Sequence, residues 1–115
     1  MPEAFQLGLS YLASQLTSAG REPAGFPNGV ATMWLYVTES RSVADRVLTE
    51  VLTPLLKRPI DVVRNMPLPV GPAEVCAERL AGYAEAGAQR VYVWPLADEL
   101  RQLELFREHV TPLIP

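Results

Sequence analysis

An α/β fold with two parallel strands and flanking helices is what this sequence predicts, and three observations carry the prediction. Two short runs, 30–37 and 90–95, are dense in β-branched and aromatic residues and read as strands. The stretches before, between and after them space their apolar residues as helices do. The two strands are separated by a long, mostly helical connection, and strands joined that way lie parallel through a right-handed crossover.

The elements follow in order. Residues 3–19 place Phe5, Leu9, Leu12 and Leu16 on one helical stripe, and Gly20 supplies the stop. Pro23, Gly25, Pro27, Asn28 and Gly29 make 21–29 a loop. Strand 30–37 is apolar on both faces, as strands of covered parallel sheets are. Ser40 or Ser42 can cap the next helix, Ser42 with Asp45 resembling an acidic capping box. That helix runs over 42–53 with Ala44, Val47, Leu48, Val51 and Leu55 inward, and Pro54 ends or kinks it. Prolines at 59, 67, 69 and 72 break up 57–72, leaving room for a short turn from Ile60 to Met66. Pro72 opens a further helix with Cys76, Leu80, Tyr83 and Ala84 inward and Gly87 as its C′ residue. After strand 90–95, Asp98 can cap a last helix striped by Leu100, Leu103, Phe106 or Arg107, and Val110, which Pro112 stops.

Composition narrows the function classes. The 115 residues suffice for one domain, 1–115, with no internal repeat. A net charge of -3 argues against a nucleic-acid partner, because phosphate binding needs a cationic face. A single cysteine, Cys76, provides no internal disulfide and suits the reducing cytoplasm. Met1-Pro2-Glu3 lacks the basic-then-apolar order of a signal peptide, and no apolar run is long enough for a membrane span.

Residues 70–113 carry a joint pattern: Val70-Gly71-Pro72-Ala73-Glu74-Val75, Glu78-Arg79-Leu80, Tyr83, Ala86-Gly87-Ala88, Val91, Gln102-Leu103-Glu104-Leu105-Phe106 and Val110-Thr111-Pro112-Leu113. This resembles the C-terminal part of luciferase-like flavin- or deazaflavin-dependent monooxygenases, whose final βα units read much alike. Helix 3–19 and strand 30–37 are similar, more weakly, to the helix and seventh strand that precede them. The resemblance implies a partial (β/α)8, TIM-barrel-like fragment and an oxidoreductase using FMN or the deazaflavin coenzyme F420. It also implies that the family's catalytic residues and most flavin contacts lie upstream of these 115 residues, since a full barrel needs about 250. No catalytic residue is therefore carried over, and the chain is expected to lack independent catalysis.

The residues themselves offer no other chemistry. His109 stands alone beside Glu108 near a helix end and reads as a solvated imidazole, with no second histidine for a metal site. Cys76 lies on an apolar helical stripe and reads as a packing residue. Gly25-Phe26-Pro27-Asn28-Gly29 is a turn, not a phosphate cradle.

The informative group is aromatic. By the two-residue period, Thr32, Trp34 and Tyr36 share one face of the first strand, and Tyr92 and Trp94 share one face of the second. Ala31, Met33, Leu35 and Val37 form the opposite, helix-facing side. If the strands are neighbours, Trp34, Tyr36, Tyr92 and Trp94 lie together. Covering four such rings is worth on the order of 15–25 kcal/mol of apolar transfer as an upper bound. Helix 3–19, a second copy or partner chain, or an aromatic ligand are the three candidate covers. Two functions follow: a luciferase-like monooxygenase relative, redox-active only with flavin and the missing barrel supplied from elsewhere, or a non-catalytic dimeric binding module using the aromatic face. A functionless product that still folds is the third possibility.

Overall fold

Val30–Val37 forms the central strand, β1, of a three-stranded parallel sheet. The computed structural model describes all of Met1–Pro115. Helix α1 is Pro2–Ser18, ended by Gly20 at φ 76°. After β1, α2 begins at Arg41–Arg46 and runs on through a π-helical stretch, Val47–Leu52, and a last turn, Thr53–Leu56. A short helix α3 (Ile60–Arg64) leads to β2, only Val70–Gly71. Helix α4 (Ala73–Glu85) and Gly87 at φ 105° lead to β3, Val91–Pro95. Helix α5 (Glu99–Leu105) continues as a π-helical Phe106–Val110 and a 3₁₀ turn, Thr111–Leu113.

The α/β class and the parallel strands are as expected; the third strand is an addition. It is two residues long in a proline-rich stretch, too short for any alternation to show. The strand order is β2-β1-β3, so the two longer strands are neighbours. Tyr36 and Val37 pair with Val70 and Gly71 on one side, and Met33, Trp34 and Leu35 pair with Val93, Trp94 and Pro95 on the other.

All helix packing gathers on one side of the sheet. Met33, Leu35 and Val37 of β1 meet Val47 and Leu52 of α2, Val63 of α3, Cys76, Ala77, Leu80 and Tyr83 of α4, and Val110 of α5 in one core. Helix α1 lies against α4: Phe5 meets Tyr83 edge-to-face at 6.3 Å, and Pro2 approaches Gly82. Leu16 is its one buried residue.

Four expected faces are corrected. Between Val30 and Met33 the β1–β3 register slips by one residue, a bulge with Thr32 at φ 59°. Val30 consequently packs on the core and Ala31 is exposed, the reverse of strict alternation. In α2 the π-helical stretch advances the inward stripe by five residues instead of four. Leu52 and Leu56 turn inward, and Val51 and Leu55 turn out. In α5 the inward residues are Gln102, Leu105, Phe106 and Val110, while Leu100 and Leu103 face solvent. The phase there is set by Gln102, whose amide accepts from Val37 N–H at 2.6 Å and donates to Val37 C=O at 3.0 Å. On α4 Ala77 is buried and Ala84 is not.

Pro54 and Pro112 behave alike. Each follows a threonine and a π-helical stretch, and that threonine's hydroxyl donates back into the helix. Thr53 Oγ1 donates to Leu48 C=O at 2.8 Å, and Thr111 Oγ1 to Arg107 C=O at 2.7 Å. Helix α2 thus runs through Pro54 and ends at Lys57, φ 53°. Ser40, not Ser42, is its cap, accepting from Val43 N–H at 3.3 Å, while Asp45 pairs with Arg64 at 3.0 Å.

Candidate functional site

The structure brings together all four aromatic residues expected on one face. The paired positions Trp34 and Trp94 set their rings 6.2 Å apart at 66°, an edge-to-face pair. Tyr92 lies one alternation toward the start of β3, its ring beside Gly29. Tyr36 lies one alternation toward the end of β1, and its hydroxyl donates to Asp98 Oδ2 at 3.2 Å. Burial pushes the Tyr36 phenol pKa up, and the hydrogen bond to Asp98 and its charge push in the same direction. Asp98 makes no side-chain cap on α5; its carboxylate serves Tyr36 instead.

No helix covers this face. Tyr92 is 51% and Trp94 54% exposed, although each sits in a paired strand. Helix α1, one candidate cover, packs on α4 instead. The shape of the molecule agrees. Its shortest dimension is 20 Å, the thickness of one helix layer on one sheet at about 10 Å each. The radius of gyration is 15.8 Å, where a packed domain of this length has about 13 Å. Accessible surface is 7438 Å², against about 6,200 Å² for a folded monomer of this mass.

Charge is arranged at the ends of the face. Arg90 immediately precedes β3, and its Cβ lies with the Tyr92 ring beside Gly29. Asp98 lies beyond the other end of β3, under Tyr36. Both are exposed, and neither is in an ion pair within the chain. The sequence presents Asp98 as a helix cap and does not single out Arg90. The spacing 90, 92, 94 on one strand face was the available signal for Arg90.

The largest cavity, about 590 Å³, is elsewhere, beyond the C-terminal end of β1. Glu39, Glu74, Glu108 and His109 supply its ionisable groups. Three carboxylates and no lysine or arginine make this the wrong lining for the phosphate of FMN or of a deazaflavin cofactor. The residues present therefore do not fit the cofactor that the family resemblance implies. No group of His, Cys, Asp and Glu is arranged to hold a metal ion. His109 is an exposed imidazole whose Nε2 lies 3.9 Å from Glu108 Oε2. Cys76 is fully buried, its thiol donating to Gly71 C=O at 3.5 Å, and burial pushes its pKa up to about 12. It is a packed, unreactive thiol, as its stripe position suggested. No helix is long and apolar enough to cross a membrane.

The chain matches no protein-family model and no curated protein.

Proposed function

We propose that the chain is a non-catalytic assembly module whose aromatic sheet face receives a second protein layer. The observation that carries this reading is the exposure of Tyr92 and Trp94, beside the half-buried Trp34 and Tyr36, on one face of an otherwise one-sided α/β layer. A parallel sheet with helices on one side only has half of its apolar surface left to bury. The surplus of about 1,200 Å² over a packed monomer exceeds the roughly 800 Å² that each partner contributes to a standard interface.

The luciferase-like resemblance gives this module an origin in monooxygenase barrels, where such a face is the enclosed side of the strands. Oxidoreductase chemistry in that reading belongs to the rest of a barrel, because the acidic cavity does not suit a flavin phosphate. The single buried thiol fits residence in the cytoplasm. The assembly in this reading is a homodimer.

Trp34 and Trp94 are the chain's two tryptophans, so their fluorescence reports the face directly. Assembly predicts blue-shifted emission that acrylamide quenches poorly, and red-shifted, readily quenched emission for Tyr92→Asp with unchanged circular dichroism. Adding FMN leaves the emission unaltered. Freely quenched tryptophans in the unmodified protein, or saturable quenching by FMN, would contradict the assignment.

A further inference from the structure

Resting on that assembly reading, we infer that the partner is a second copy of this chain, stacked face to face about a two-fold axis that crosses the strands at Trp34 and Trp94. Two ways of stacking identical sheets exist. An axis parallel to the strands keeps both copies running the same way and sets the Arg90 end over the Arg90 end. An axis in the sheet plane but across the strands reverses one copy. It then lays β3 antiparallel on β3 of the second copy, with Trp94 at the centre.

The charges choose between the two. Arg90 and Asp98 lie four residues before and after Trp94, at opposite ends of the face, exposed and free of intrachain ion pairs. In the reversed arrangement each Arg90 meets Asp98 of the other copy, twice by symmetry. In the parallel arrangement like charges face each other. The centre is apolar and aromatic, and the ends are polar, which is the anatomy of a stable interface. Tyr36 holds Asp98 in place through its 3.2 Å hydrogen bond, so the anion is positioned before the partner arrives. The area fits as well: two slabs 20 Å thick, each with a bare face, close into four layers, helix on sheet on sheet on helix.

The test is charge exchange, read by sedimentation with circular dichroism as the folding control. Arg90→Asp alone puts two Asp–Asp contacts into the dimer, and Asp98→Arg alone puts in two Arg–Arg contacts. Each weakens dimerisation about tenfold or more. Mixing the two variants restores a dimer, since one copy is then acidic at both ends and the other basic at both. The double variant in one chain also restores it. Dimerisation lost in Trp94→Asp but indifferent to both charge variants, or no recovery on mixing, would overturn the arrangement and leave the assembly reading standing. An unmodified chain that stays at 12.7 kDa overturns the second copy as partner; tryptophans then freely quenched also remove the assembly reading. A dimer indifferent to Trp94→Asp as well overturns both.

Discussion

Gln102 shows how one side chain can replace a piece of secondary structure. It is 2% exposed, and its amide satisfies both the N–H and the C=O of Val37 at the end of β1, as a neighbouring strand would. Gln102→Ala leaves two buried main-chain groups without partners. At roughly 1–3 kcal/mol each, the loss is about 2–6 kcal/mol, to be read from urea unfolding. A loss under about 0.5 kcal/mol, the range of an ordinary surface change, would show that water takes over the role. Nothing in the sequence distinguishes Gln102 from a solvated helix residue, because its partner is a backbone 65 positions away. The same scale carries a pH dependence. Cys76, Tyr36 and Tyr83 all have raised pKa values, by burial first, so the folded chain holds protons that the unfolded chain releases. Their contribution to stability is complete below the unfolded values, near 9 for the thiol and 10 for the phenols, and is lost as pH rises toward the folded ones. Melting temperature should therefore fall steeply above pH 9, less steeply in Cys76→Ala. An equally steep fall in that variant would mean that the thiol does not contribute.

Among the elements, the strands and helices were legible because their composition and periodicity are local. Their rotations were less so. The bulge at Thr32 and the π-helical stretches at Val47–Leu52 and Phe106–Val110 each add a residue to a repeat, which turns everything on one side of them. Val51, Leu55 and Ala31, expected inside, lie outside for that reason. Thr-Pro pairs at 53–54 and 111–112 mark both π-helical stretches, a signal visible in the sequence only once the geometry is known. Thr32 is a β-branched residue held at φ 59°, a conformation that costs it about 1–2 kcal/mol. Thr32→Gly should raise stability by about 0.5–1 kcal/mol in equilibrium unfolding, after the greater chain entropy of glycine is taken off. A destabilised variant would show that the threonine side chain makes a contact that outweighs its strain. Thr53→Ala should cost about 1 kcal/mol through the lost bond to Leu48 C=O.

For the whole molecule, the aromatic face was legible in full: alternation placed Trp34, Tyr36, Tyr92 and Trp94 together, and pairing of β1 with β3 did the rest. Its cover was not legible, since a second layer from another molecule leaves no periodicity of its own. What the structure adds is that the chain's own helices are all engaged on the opposite side. The mass of the particle that this chain forms therefore decides whether the face is covered by a second copy. Sedimentation equilibrium over a wide micromolar range should give twice 12.7 kDa for the unmodified protein and 12.7 kDa for a folded Trp94→Asp variant. A single species of 12.7 kDa at every concentration, stable with its tryptophan face in water, is the result that contradicts it.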